Sequence, residues 1–388
     1  MAKLRVVHIV NQLGYGGAEH VLAELAGGLP PAEFEMSFVG LQQSNRPPRR
    51  LLDAGHEVIS LEGRSRFHIP IRRLLGVLRA RRPDVIHCHL SRAAATGGLA
   101  ARLSGSPPLV ASVHNHWGTA QHPLNRLLDS WTFSRCDVVV CVSEAVCDSI
   151  PAKYKRYRDF RVIRNCIDAQ HLQDTQCGAD ELRGELSIPQ GARVVGMVGR
   201  LAACKGHRTL LEALPAVLAQ FPQTVVVLAG DGELLQPLRR LAQALGVAES
   251  VRFLGFRADV PRIMKLCEVL TIPSLLEGLP MVLLEACALG VPVVASDLPV
   301  FTEVIQDDAS ALTFPRGDAG ALACSLIEAL QAPERMAARG AQAQSTVTRE
   351  FSAQAMVTKH RDLYFELAGG LPEQAHPHRN AKATKICH

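Results

Sequence analysis

Two carboxylates eight positions apart, Glu277 and Glu285, bracket the stretch of this chain best suited to hold an anion and a polyol attached to it. Between them run Gly278, Leu279, Pro280 and Met281, then an apolar segment that ends before Gly290. Pro280 suits a first helical position, where its missing N–H would have had no partner anyway. Gly290 suits the residue just past a helix end. The pattern predicts a loop, a short helix over about 280–289 and a strand over 291–296. The free N–H groups and the dipole of such a helix favour phosphate at its start. A carboxylate just ahead of that start can face hydroxyls of a group carried by the phosphate. A second one, more than a turn along, can accept bonds from a vicinal diol such as a ribose. The constellation fits a nucleotide sugar, and it fits equally a buried helix with two charged ends and no ligand.

The rest of the chain must position that stretch. A length of 388 residues predicts two or three domains, each large enough for its own core. Hydrophobic content of 47% and charged content of 20% are those of an ordinary globular chain. The net charge of +5 is too mild to imply nucleic acid, and none is expected as a partner. No uninterrupted apolar run reaches the ~18 residues of a membrane span. The run Val6–Val10 is too short for a signal peptide and ends in Asn11-Gln12, so it reads as a first strand and a cytoplasmic location is expected. Eleven cysteines, scattered and without a Cys-x-x-Cys, read as reduced thiols.

In the first half, a strand over 4–10 leads into Gly14-Tyr15-Gly16-Gly17-Ala18-Glu19 and an apolar-periodic helix, the opening unit of a doubly wound α/β domain. A dinucleotide fingerprint would need a small residue where Glu19 stands and an acidic residue ending the next strand, over 35–41. Both are missing, which disfavours a dehydrogenase. The glycine loop lets backbone approach a ligand closely, or is a plain tight turn. Further strands are predicted over 84–90, 109–116 and 137–142, with Ser143 capping the helix after the last. His114 falls at the carboxyl end of its strand, the edge where ligands bind in open α/β sheets. The pairs His87/His89 and His114/His116 are expected to point to opposite faces, so no shared metal is expected. Ten arginines lie between Arg46 and Arg82, and no acidic residue between Gly63 and Pro83. A helix there carries Ile71, Leu74, Leu75 and Leu78 on one stripe, expected to pack on the sheet. The arginines, Arg64, Arg66, Arg72, Arg73 and Arg79 among them, call for an anionic partner: a membrane surface or a pyrophosphate-linked acceptor.

Residues 169–190 read as a linker. A second α/β run follows, with strands over 194–198, 224–229, 251–254, 269–272, 291–295 and 311–314. Arg200 and Lys205 fall in the loop after its first strand, pointing into the cleft between the two halves. Two cations beside a helix start can hold a diphosphate without metal. No Asp-x-Asp pair, which a metal-held diphosphate would usually need, occurs in the chain. Helices over 319–331, 333–348 and 351–367 precede a polar tail, 369–388, expected to be disordered.

The ordered set Gly16-Gly17-Ala18-Glu19, His114, Val198-Gly199-Arg200-Leu201 with Lys205-Gly206, Gly230-Asp231-Gly232, Leu254-Gly255-Phe256 and Glu277-x7-Glu285 resembles the retaining family 4 glycosyltransferases of the GT-B fold, over roughly residues 4–368. The resemblance implies an α/β, GT-B architecture: two Rossmann-like doubly wound parallel-sheet domains facing a central cleft. It implies an acceptor-binding domain over 1–170, a nucleotide-sugar-binding domain over 171–350 and a helix, 351–368, crossing back to the first. It implies transfer of a hexose or N-acetylhexosamine from a nucleotide sugar, most often a UDP-sugar, to a glycan or lipid-linked acceptor of cell-surface polysaccharide or lipopolysaccharide synthesis. His114, Arg200, Lys205 and Glu277 would be the catalytic residues. Gly16, Gly17, Gly255, Gly278, Leu279, Pro280, Met281 and Glu285 would bind the donor. No metal and no cofactor beyond the donor is implied, and the enzyme would work in the cytoplasm or at the inner face of the membrane. The alternatives are a non-catalytic nucleotide-sugar-binding protein and a sugar-nucleotide 2-epimerase on the same fold.

Overall fold

Val6–Val10 and Thr224–Ala229 are buried along their whole length, as in central strands covered by helices on both faces. The computed structural model describes residues 2–14, 17–43, 49–63, 70–117, 130–156, 158–169, 172, 178–305 and 309–369. It holds two parallel sheets. The first contains β1 Leu4–Gln12, β2 Phe34–Gln42, β3 Glu57–Gly63, β4 Val85–His89, β5 Leu109–Val113, β6 Val138–Cys141 and β7 Asp159–Val162, in the order β3-β2-β1-β4-β5-β6-β7. The second contains β8 Arg193–Val198, β9 Thr224–Ala229, β10 Val251–Gly255, β11 Val269–Ile272, β12 Val293–Ser296 and β13 Leu312–Phe314, in the order β10-β9-β8-β11-β12-β13. Strand order reverses between β1 and β4 and again between β8 and β11. Open α/β sheets bind ligands outside the carboxyl ends of the strands at such switch points. The loops after β1, β4, β8 and β11 are therefore the ones that matter.

Helices cover the first sheet closely. Helix Ser91–Leu103 lies so near it that a Cβ at Gly97 would stand 2.3 Å from Cys88 Sγ and 3.3 Å from Ile9 Cδ1. Helix Ala353–Leu367, the last described, also lies on this sheet. Its Met356, Val357, Leu363 and Tyr364 share a core with Val6, Phe34 and Phe38. Two forked ion pairs flank it: Arg361 donates to both Glu33 oxygens at 2.7 and 3.1 Å, and Arg161 to both Glu366 oxygens at 2.7 and 2.9 Å. Where the chain returns, the Ile167 N–H donates to the Phe351 carbonyl at 2.9 Å, and Ile167 forms a parallel bridge with Ser352. Helix Ile71–Arg81 buries Leu74 and Leu78 against the sheet, as its apolar stripe predicts.

The sequence reading needs several corrections. The helix predicted over 280–289 is Met281–Ala288, and Pro280 caps it in an extended conformation (φ −73°, ψ 124°) rather than opening it. The following strand begins at Val293, not 291. The expected linker contains a helix, Ala179–Glu185, whose Leu182 packs with Ile263 and Leu266. Strand β3 and helices Ser91–Leu103 and Val260–Leu266 add to the predicted elements. The tail after Gly369 lies outside the described residues. Among those described, no helix is long and apolar enough to cross a membrane.

Gly97→Ala should push a methyl group into Cys88 and lower stability by about 1–3 kcal/mol. Gly27→Ala, in a helix with nothing within 4 Å of the added carbon, should not. Urea unfolding of the two variants checks the pair.

Candidate active site

At the switch point of the second sheet, two loops are pressed together. Gly206 adopts φ 76° before helix His207–Gln220, and a Cβ there would stand 1.8 Å from the Pro273 carbonyl oxygen. The Leu275 N–H donates to the Cys204 carbonyl at 2.7 Å. This contact carries the loop after β8 onto the loop after β11. Lys205 Nζ donates to Glu277 Oε1 at 2.7 Å, and Ser274 Oγ donates to the same oxygen at 2.7 Å. Ser274 is itself fixed, because Ser296 Oγ donates to its carbonyl at 2.6 Å. The Glu277 side chain is 8% exposed and that of Lys205 23%, so the pair is sheltered but reachable. Arg200 stands exposed beside Gly199, where a Cβ would lie 3.9 Å from Lys205 Cδ, and its guanidinium makes no hydrogen bond or ion pair among the described residues.

The next residues of the same loop meet the first half of the chain. A Cβ at Gly278 would stand 1.9 Å from the His114 carbonyl oxygen, so only glycine fits between the loop and the end of β5. Ser143 Oγ donates to the Gly278 carbonyl at 3.2 Å while accepting from the Val146 N–H at the start of helix Glu144–Ser149. Asn165 Nδ2 donates to the Leu279 carbonyl at 3.1 Å. Glu303 accepts the N–H groups of Glu144 and Ala145 at 3.1 and 2.8 Å and the Arg164 Nε–H at 3.3 Å. Helix Met281–Ala288 then starts, with no side chain capping its free N–H groups. Helix Gly17–Gly28 starts opposite, where a Cβ at Gly17 would stand 3.6 Å from Met281 Cγ. Two helix starts with their positive dipole ends thus face one space, beside two cations. Gly16 lies outside the described residues.

Glu285 is half-buried on helix Met281–Ala288, and its carboxylate has no hydrogen bond or ion pair among the described residues. Burial raises this carboxyl to about 7. His114 is half-buried. Its Nε2 lies 3.1 Å from His89 Nδ1, its Nδ1 is buried without a partner, and burial lowers the ring to about 4, so it is neutral at pH 7. Gly255 ends β10 at φ 66° with its carbonyl accepting from the Gly230 N–H at 2.8 Å and open space where a Cβ would be. Arg72 and Arg79 are exposed on helix Ile71–Arg81, whereas Arg73 donates to the Leu61 carbonyl at 3.0 Å and to Glu62 at 3.3 Å. Arg64 and Arg66 lie outside the described residues.

One expectation about the histidines is wrong. Residues two apart on a strand share a face, so His87 and His89 point the same way. Their ring centroids are 4.2 Å apart, and with His8 they bring ligating atoms within 4.8 Å of one another. Ser143, Asn165 and Glu303 escaped the sequence reading as parts of this site. Their signal there is local, a cap or a turn, while their partners lie up to 159 positions away.

The arrangement can hold a diphosphate between two helix starts and two cations, with an unpaired carboxylate and a neutral histidine to either side. Comparison with known proteins gives the family and the fold. A sequence model of Glycosyltransferase Family 4 matches residues 15–171, and one of Glycosyl transferases group 1 matches residues 178–346. The putative glycosyltransferase EpsF of Bacillus subtilis is 28% identical over 312 residues, 76% of this chain and 79% of the relative. An Escherichia coli UDP-Gal:alpha-D-GlcNAc-diphosphoundecaprenol alpha-1,3-galactosyltransferase is 29% identical over 242 residues, 58% of this chain and 60% of its own length. The crystal structure of Anabaena HepE in complex with UDP and glucose superposes with a TM-score of 0.81 at 22% identity, covering 93% of this chain and 99% of that one. The two sheets are those of the GT-B fold, and this chain belongs to the family 4 glycosyltransferases.

Proposed function

We propose that the protein is a retaining, metal-independent hexosyltransferase. It moves a hexose or N-acetylhexosamine from a UDP-sugar to a glycan or lipid-linked acceptor in cell-surface polysaccharide or lipopolysaccharide synthesis. One observation carries the reading: Arg200, the Lys205–Glu277 pair and two facing helix starts converge where the halves meet. In this reading the diphosphate lies at that convergence, the ribose hydroxyls bond to Glu285, and the base rests in the open space at Gly255. The sugar lies between Glu277 and His114. Lys205 has three N–H donors and spends one on Glu277, which aims the others at the leaving phosphate.

The bond between the anomeric carbon and the phosphate oxygen breaks as negative charge gathers on the diphosphate. Fixed cations and backbone N–H groups stabilise that charge more than the ground state. The acceptor hydroxyl attacks the same face of the oxocarbenium-like sugar, and its proton passes to the departing phosphate. The UDP choice draws support from the bound UDP of HepE and the UDP-Gal donor of the Escherichia coli relative. The lipid-linked acceptor draws support from the diphosphoundecaprenol acceptor of that relative. Exposed Arg72 and Arg79 would face an anionic membrane holding such an acceptor.

A panel of UDP-sugars and GDP-mannose, read by release of nucleoside diphosphate, tests the reading. One UDP-sugar should turn over equally with and without EDTA. Loss of turnover in EDTA overturns metal independence, and binding without cleavage favours a non-catalytic role. Lys205→Ala should lower kcat about 10²–10³-fold, the order seen on removing one charge-stabilising donor. Glu285 gives a pH signature. Its carboxyl is raised to about 7 in the free protein, and accepting ribose hydroxyls favours the ionised form, so donor affinity should rise as pH climbs from 6 to 8. Calorimetry should show proton release on binding, and Glu285→Gln should bind weakly with a flat profile. Arg72→Glu/Arg79→Glu should lose co-sedimentation with anionic vesicles at low salt; wild-type protein that ignores such vesicles rejects the membrane contact.

A further inference from the structure

A line of histidines runs from the candidate site into the core of the first sheet. The register sets His8 beside His87 and His89 beside Ser112, two residues before His114. His8 Nδ1 lies 3.2 Å from His89 Nε2, and His89 Nδ1 lies 3.1 Å from His114 Nε2. His87 stands outside the line, with its nitrogens on the Tyr364 hydroxyl at 2.6 Å and Ser112 Oγ at 2.8 Å. Both ends of the line are bare: among the described residues, His8 Nε2 and His114 Nδ1 are buried without partners. At the far end aromatic rings surround the imidazole: the His8 ring is stacked on Phe38 at 5.1 Å and edge-on to Tyr364 at 6.1 Å. Burial lowers all three rings far enough to keep them neutral at pH 7.

A neutral imidazole has one N–H and one lone pair, and the bond made by one nitrogen fixes the state of the other. The two hydrogen bonds can therefore point only two ways. If both donate away from His114, His8 is left with a buried N–H and no acceptor. If both donate toward His114, His8 keeps only a bare lone pair and the unpartnered N–H passes to His114 Nδ1, at the half-buried end beside the site, where a ligand can accept from it; an N–H is better left there than among the rings around His8. We infer that His89, backed by His8, fixes His114 as the tautomer that carries its proton on Nδ1, so that His114 meets a ligand as a hydrogen-bond donor. His89 and His8 are positioning residues. The N–H suits a sugar hydroxyl oxygen or a phosphate oxygen gaining charge. That use rests on the transferase reading above; the tautomer does not.

Nitrogen-15 spectra of the full chain with labelled histidine test this, with the His114 pattern identified by its loss in His114→Gln. The ligand-free wild type should show a protonated Nδ1 and a bare Nε2 for His114. His89→Phe should move the His114 proton wholly or partly to Nε2. It should also lower kcat about tenfold with little change in donor KM, the order lost when a bond orienting a functional histidine is removed. His89→Asn, whose amide nitrogen takes the place of the ring Nδ1 and can still donate to His114 Nε2, should keep the Nδ1–H pattern and most of the activity. A wild-type proton on Nε2 overturns the inference, and so does an unmoved tautomer in His89→Phe. Stoichiometric zinc in the purified protein also overturns it, because a metal shared by His8, His87 and His89 would break the line. A tautomer that moves while kcat holds leaves the inference standing and removes His114 from the reaction.

Discussion

The backbone of Gly278 lies against the carbonyl of His114, and the rest of the site is built around that contact. A loop from the second sheet is seated on a strand end of the first, with no room for a side chain. Ser143 and Asn165 hold the same loop by its carbonyls, leaving the N–H groups of the following helix turned elsewhere. A buried carbonyl must find a donor somewhere. Here the donors come from the other half of the chain, so seating the loop and joining the halves are one event.

Charge is arranged with the same economy. Glu277 is largely shielded from water, yet it accepts from Lys205 and Ser274 and is therefore not a lone buried charge. Arg200 stays in solvent, where an unpaired guanidinium costs little. Glu285 carries the tension: half-buried and without a side-chain partner among the described residues, it is held partly protonated near neutrality. Among the described residues the site thus combines a satisfied pair, an exposed cation and an under-satisfied carboxyl, which together suit a ligand that brings both phosphate and hydroxyls.

Much of this was legible in the sequence. The Glu277-x7-Glu285 spacing, the glycine loops and the cations after a strand are local signals, and buried parallel strands betray themselves as apolar runs. What escaped was non-local or compositionally quiet. Strand β3 carries Glu57 and Glu62 at a sheet edge, so it lacks the apolar run of a central strand. Helix Ser91–Leu103 is rich in alanine and glycine because it lies flush on the sheet, which erases an obvious stripe. The histidine line was hidden by a misjudged period: on a strand, the spacing of His87 and His89 brings side chains together. Glu303 could not be read at all, since nothing near it in sequence tells that it caps a helix 159 positions earlier.

The chain passes between the halves twice, and at that place Ile167 is hydrogen-bonded to Phe351 and bridged to Ser352. Two crossings tied side by side act as a single pivot. A turn of the halves about that point leaves both crossings intact. The arc is largest at the parts of the cleft farthest from the pivot. The Gly278–His114 and Glu303 contacts lie within that cleft and would part in such a turn. A rotation of that kind would let a bulky ligand in or out without unfolding either half.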